Sequence, residues 1–147
     1  MELSLDYVCR AVKGTQFFGK SDAVVRGVST DSRNIQPGQV FIALIGEKYD
    51  AHEFVDQALK RGATGAVVSK NNMEYHPNEN QGLILVEDTL KALQDLAASY
   101  RRQFPVPVIA VTGSVGKTTT KDIISACLGT RFKVLKTEGN FNNENSV

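Results

Sequence analysis

The run Val108-Ile-Ala-Val-Thr-Gly-Ser-Val-Gly-Lys-Thr-Thr-Thr-Lys121 constrains this chain more than any other stretch. Val108 to Val111 predict a short buried strand, because an aliphatic run without polar alternation suits a strand covered on both faces. Past the glycines, Ile123, Ile124, Cys127 and Leu128 recur at helical spacing and predict a helix, with Cys127 on its packed face. Between the two lie Thr112, Gly113, Ser114, Val115, Gly116, Lys117 and Thr118, with Thr119 following. Glycines let the backbone turn so that consecutive N–H groups point into one concavity. The helix N-terminus adds partial positive charge, Lys117 a mobile full charge, and Thr118 a hydroxyl suited to a magnesium ion. These are the parts of a phosphate-binding loop. The strict pattern G-x-x-x-x-G-K-[ST] would place glycine where this chain has Val111, so what remains is T-G-S-x-G-K-T. A chance Gly/Ser turn is the weaker reading, since an empty nest of amides would leave several donors without partners.

Around this loop the sequence reads as a mixed α/β chain. Its 147 residues suffice for one ordinary domain or two small ones. A formal net charge of +1 argues against a chain built around nucleic acid or an anionic membrane surface. No apolar run approaches the ~20 residues that span a bilayer, so no membrane insertion is expected. The start, Met-Glu-Leu-Ser-Leu-Asp, lacks the basic and long apolar segments of a signal peptide. Cys9 and Cys127 have no C-x-x-C spacing, which predicts reduced thiols in a cytoplasmic setting. His52 and His76 are too few and too far apart to suggest a metal cluster.

In chain order, residues 3–12 suit a short amphipathic helix, broken by Gly14 and Gly19. Ala23 to Val25, with Val28, predicts a strand, and the polar run from Ser29 to Asn34 a loop in which Asp31-Ser32-Arg33 reads as a capped turn. Pro37-Gly38 signals a turn before a buried strand over Val40 to Ile45, which Gly46 ends. Phe54, Val55, Ala58 and Leu59 share a helix face, closed by Gly62. Ala66 to Val68 and Leu83 to Val86 predict further strands, separated by a surface loop over residues 71–81. Asp88 is the natural N-cap of a helix striped by Leu90, Leu93, Leu96, Ala97 and Tyr100. Pro105 and Pro107 then deliver the chain to the phosphate-loop strand. Phe132 to Leu135 predicts a last strand, followed by an asparagine-rich segment with Asn140, Asn142, Asn143 and Asn145. A flexible tail is one reading of that segment. A ligand role is favoured, because ligands of doubly wound sheets sit beyond the carboxyl ends of such strands. A boundary before the Asp88 helix divides the chain into residues 1–84 and 85–147.

Taken together, these residues resemble the Mur ligase family, and within it the branch that adds D-alanyl-D-alanine (D-Ala-D-Ala) to UDP-N-acetylmuramoyl-tripeptide (UDP-MurNAc-tripeptide). Thr30-Asp31-Ser32-Arg33, Pro37-Gly38, Phe41, Ala43-Leu44 and Gly46 are similar to the family's signature for its first domain. Asp50, His52, Phe54, Ala58 and Gly62-Ala63 continue it, with Ala51 where the family usually has glycine. Thr112 to Lys121 is similar to its ATP loop. Thr137, Gly139, Asn140, Asn142 and Asn143 resemble the motif that sets this branch apart from its relatives.

The resemblance implies a small mixed α/β UDP-substrate domain followed by the start of a P-loop ATPase domain with a parallel sheet. It implies ATP and Mg2+, a carboxylate activated as an acyl phosphate, and displacement of phosphate by an amine. By resemblance, Lys117 and Thr118 would serve catalysis, with Thr118 at the metal and Thr112, Gly113, Ser114, Val115, Gly116, Lys117, Thr118 and Thr119 around the nucleotide. Ser32, Arg33, His52, Thr137, Asn140, Asn142 and Asn143 would serve substrate binding. Family features expected later in such ligases do not occur here, so the chain is expected to be an N-terminal piece that does not catalyse ligation alone. Two other readings stand beside this one. One is a module that holds nucleotide without using it; the other is the related ligase adding the third amino acid, which the Thr137 to Asn143 motif disfavours.

Overall fold

The computed structural model describes residues 2–20, 22–46, 49–69 and 74–137. The chain forms two compact units, Met1–Gln103 and Phe104–Val147.

The first unit is built on a five-stranded sheet in the order β2-β7-β6-β5-β4, with β2 at Thr15–Phe18, β4 at Gly27–Ser29, β5 at Gln39–Ile42, β6 at Gly65–Val68 and β7 at Gly82–Leu85. β4 to β7 run parallel, and β2 lies antiparallel against β7. A two-stranded ribbon pairs β1 (Leu3–Ser4) with β3 (Val24–Val25). Helices α1 (Leu5–Ala11), α2 (Val55–Lys60) and α3 (Thr89–Arg101) complete the unit, with a 3₁₀ turn at Ala51–Phe54 leading into α2.

Side chains alternate across a strand, so each buried strand feeds two cores. Val40, Ile42, Val67 and Ile84 face Leu5 and Val8 of α1 and Ala92 and Leu96 of α3. Phe41, Ala66, Val68 and Leu83 face Val55, Ala58 and Leu59 of α2. The sheet is therefore covered on both sides, which is why its strands read as unbroken apolar runs. Gly65 and Gly82 sit opposite one another where β6 meets β7, and a Cβ on Gly65 would lie 2.3 Å from the Gly82 carbonyl oxygen. That approach admits only glycine.

The alternation also settles the ends of elements. The strand expected over Val40 to Ile45 stops at Ile42, although the Ala43 amide still donates to Val67 O at 3.0 Å. Strand β2 was not expected: Thr15, Phe17 and Phe18 are exposed, so this antiparallel edge carries no alternation to read. Ser4 caps α1 and Asp88 caps α3, the latter accepting from the Leu90 and Lys91 amides. Ala92 and Leu96 bury α3 in the first unit, whereas the sequence division at 84/85 leaves that helix with the second part.

In the second unit the described residues contain one helix, α4 (Lys117–Gly129), and no strand. The strands expected at Val108 to Val111 and Phe132 to Leu135 do not form. A strand exists through backbone hydrogen bonds to a neighbour, and among the described residues of this unit no neighbour is present. Val108 and Ile109 are consequently exposed, and α4 buries none of its residues. Cys127, expected to pack, is exposed for the same reason.

Candidate functional site

The carboxyl ends of β4, β5 and β6 form the edge of the first unit where parallel sheets hold ligands. The segment after β4 is a closed polar turn. Asp31 Oδ1 accepts from the Arg33 amide and Nε, both at 2.9 Å, while Oδ2 accepts from Arg33 Nη2 at 2.9 Å and from Asn34 at 3.2 Å. The bonds from Arg33 hold the Asp31 carboxyl down at about 2. This is the capped turn the composition suggests, with Arg33 splayed into solvent while still paired.

Ser32 points the other way. It is 6% exposed, and its hydroxyl donates to Gln57 Oε1 of α2 at 3.0 Å. Arg61 Nη1, just past α2, donates to the Arg33 carbonyl. The segment thus runs along α2, and Ser32 and Arg33 are fixed by that helix.

His52 lies in the 3₁₀ turn ahead of the same helix and is 1% exposed. Its Nδ1 is 2.6 Å from Asp50 Oδ1, which also accepts from the His52 amide at 3.0 Å. Its Nε2 accepts from the Ser69 amide at 2.9 Å. Nearby, burial first and the charges of Asp50 and Asp56 second push the Tyr75 hydroxyl up to about 12. Asp56 itself accepts from His76 at both carboxylate oxygens, tying the segment after residue 73 to α2. A groove of about 500 Å³, lined by Phe17, Phe18, Tyr75, His76, Pro77 and Leu83 among others, holds none of the candidate catalytic or binding residues.

The second unit carries Thr112 to Thr119, the segment expected to bind phosphate. Gly113 (φ 148°) and Gly116 (φ 81°) take left-handed backbone that only glycine adopts freely. Gly116 caps α4 without any side-chain hydrogen bond, so the start of the helix stays open to an anion. A Cβ on Gly116 would meet nothing within 4 Å, and Thr112 to Thr119 are all exposed. Lys117 Nζ donates to Gly113 O at 2.5 Å, folding the ammonium across the loop. One turn on, Lys121 Nζ donates to Thr137 O at 2.7 Å, and Lys136 pairs with Asp122 at 2.8 Å. The Lys136 bond lowers the Asp122 carboxyl. These contacts bring Thr137 back against the first half of α4. Asn140, Asn142 and Asn143 lie outside the described residues. An open helix start, a lysine and a first-turn threonine fit a phosphate chain with its magnesium.

Two partners were not singled out from the sequence, Gln57 behind Ser32 and Ser69 against His52, and Lys121, which closes the loop motif, was not assigned its role as the tether of Thr137. Ser69 follows directly on an apolar strand run, a position that would have justified attention.

A glycine-lysine loop at an open helix start, in a chain whose other unit holds a mostly parallel sheet, fits a class of nucleotide-using α/β protein, and comparison with known proteins narrows it. Residues 24–101 match the "Mur ligase family, catalytic domain" and residues 111–147 the "Mur ligase middle domain". The chain belongs to the Mur ligase family. Within it, the chain is a homologue of the MurF ligases of peptidoglycan synthesis. It is 48% identical over 137 residues to UDP-N-acetylmuramoyl-tripeptide--D-alanyl-D-alanine ligase of Bacillus subtilis (strain 168), covering 92% of this chain and 30% of that protein. It is 40% identical to the Escherichia coli (strain K12) ligase of the same description, covering 86% and 27%. A crystal structure of MurF from Acinetobacter baumannii superposes with a TM-score of 0.87 at 34% identity, over 98% of this chain and 31% of that one. MurF from Thermotoga maritima in complex with ADP gives 0.73 at 34% identity, over 83% and 27%. The chain spans about 30% of the length of the relatives it matches.

Proposed function

We propose that this chain supplies the UDP-substrate unit and the phosphate loop of an ATP-dependent ligase that joins D-Ala-D-Ala to UDP-MurNAc-tripeptide. The observation that carries the reading is the open start of α4, with Lys117 and Thr118 in its first turn behind two left-handed glycines. Residues 1–84 are assigned to the substrate domain and residues 85–147 to the ATP-binding part, with α3 packed on the former. ATP is a substrate, and magnesium, when bound, neutralises phosphate charge.

In phosphoryl transfer the protein mostly positions groups and offsets charge. Lys117 leaves the Gly113 carbonyl to meet the β and γ phosphates. The Thr118 hydroxyl would hold the magnesium ion, which would supply charge neutralisation there. The backbone from Thr112 to Thr119, through Gly113, Ser114, Val115 and Gly116, cradles phosphate oxygens. Thr137, with Asn140, Asn142 and Asn143, is assigned to the space between nucleotide and substrate. Ser32, Arg33 and His52 are assigned to the UDP end of the substrate. The substrate carboxylate then attacks the γ-phosphorus of ATP, releasing ADP and forming an acyl phosphate; the amine of D-Ala-D-Ala adds to the acyl carbon and displaces inorganic phosphate, leaving the amide. No acid–base pair is required from this chain. Its free cysteines, Cys9 and Cys127, suit the cytoplasm proposed as its setting, and no described helix is long and apolar enough to cross a membrane.

The test is calorimetric titration of the chain with UDP-MurNAc-tripeptide and, separately, with Mg-ATP. Binding of the UDP ligand, weakened by Ser32→Ala, together with Mg-ATP binding weakened by Lys117→Ala, supports the reading. Mg-ATP binding with no response to UDP-MurNAc-tripeptide would replace it with a nucleotide-holding module. No ligation is expected from the chain alone.

A further inference from the structure

Resting on the reading of the first unit as a UDP-substrate domain, we propose that Ser69 touches the nucleotide-sugar and that His52 acts on it only through Ser69. The argument starts from what His52 has left to offer. Its side chain is fully buried. One ring nitrogen faces Asp50 Oδ1 at 2.6 Å, and the other accepts the Ser69 amide at 2.9 Å. An imidazole that accepts an N–H at Nε2 carries its proton on Nδ1 and is neutral. Both nitrogens are therefore spent inside the protein, and no donor remains for a ligand.

Ser69 is where this relay meets solvent. It is half-buried, and it is the first residue beyond β6, on the edge where parallel sheets receive ligands. Its hydroxyl is 3.3 Å from His52 Nε2. Asp50, His52 and Ser69 thus line up in the order of a nucleophilic triad. The geometry excludes that chemistry: the Nε2 lone pair is occupied by the Ser69 amide at the shorter distance, so no base is available to take the hydroxyl proton. What remains is a serine held in place by its own backbone, its hydroxyl resting on His52 Nε2 at the longer distance of 3.3 Å and able to turn outward as a donor. The Asp50 carboxylate next in the relay disfavours an anion here, so the partner is a neutral oxygen of the nucleotide-sugar rather than its diphosphate.

The experiment measures the Kd of the chain for UDP-MurNAc-tripeptide, alongside its melting temperature, for the parent, Ser69→Ala and Ser69→Thr. Loss of one neutral hydrogen bond predicts about fivefold weaker binding in Ser69→Ala. Melting should be unchanged, because the amide bond to His52 survives, and Ser69→Thr should restore affinity. Parent-like affinity in Ser69→Ala overturns the inference and leaves the proposed function standing. So does a loss of affinity that tracks a fall in melting temperature, since that marks a structural role. Absence of binding by the parent chain removes the proposed function and this inference with it.

Discussion

Replacing Asp50 with alanine probes the buried relay at its root. Asp50 Oδ1 accepts twice, from the His52 amide at 3.0 Å and from His52 Nδ1 at 2.6 Å. The alanine variant strands a ring N–H on a residue that is 1% exposed, where water cannot replace the lost partner. An unsatisfied buried donor costs about 1–3 kcal/mol, and losing the cap of the 3₁₀ turn costs about 1 kcal/mol more. The sum, about 2–4 kcal/mol, corresponds to a fall in melting temperature between about 8 and 30 °C for a unit of this size. Asp50→Asn keeps an acceptor at the same place and should recover all but about 1 kcal/mol of that loss. Near-UV circular dichroism isolates the relevant unit, because Tyr7, Tyr49, Tyr75 and Tyr100 all lie in it and the chain has no tryptophan. If Asp50→Ala and Asp50→Asn melt together, the two bonds to Oδ1 do not carry the stability assigned to them, and the relay is not a buried structural unit.

Other perturbations follow from distances and charges already described. Gly65→Ala forces a methyl against the Gly82 backbone and should cost about 3 kcal/mol or more, whereas Gly82→Ala meets the movable end of Leu5 and should cost less; urea midpoints compare them. Asp31 titrates at about 2 because Arg33 bonds its ionised form, so whatever it adds to stability is present above the ordinary carboxylate range and is lost as pH falls through about 2. Carboxyl NMR should show Arg33→Ala raising Asp31 only part of the way back to that range, because the residue-33 amide and Asn34 still bond the carboxylate. The Tyr75 hydroxyl, raised to about 12, favours the folded state fully below the ordinary tyrosine value and progressively less as pH climbs to about 12. Ultraviolet titration should find one late phenolate that Tyr75→Phe removes.

Much of the first unit was legible because burial on both faces leaves a plain trace. The apolar runs at Val40 to Ile42, Ala66 to Val68 and Leu83 to Leu85 are strands with both sides covered. Asp88 announced α3 through its cap and stripe. Strand β2 left no trace, because an edge with exposed side chains is defined by its partner β7 and not by its own pattern. The site divides the same way. Residue types at Asp31 and Arg33 declare a local turn, and the turn is there. That Ser32 spends its hydroxyl on Gln57, and that His52 is closed between Asp50 and Ser69, depends on helix and strand packing that no local motif encodes.

The phosphate loop separates what is local in nucleotide recognition from what is not. Its shape needs only Gly113 and Gly116 in left-handed backbone and a helix beginning at Lys117, and all of these form with no neighbouring strand among the described residues. Its rigidity is another matter. Helix α4 has 13 residues and buries none of them, and helices shorter than ~12–15 residues are marginal in water unless packing supports them. Lys117 and Lys121 spend their charges on carbonyls at Gly113 and Thr137, contacts that a phosphate chain has to displace or share. On the function proposed above, phosphate binding to this chain would also have to order its own helix. Mg-ATP should raise the helical circular dichroism signal of the chain as it binds, and Lys117→Ala should diminish both effects together.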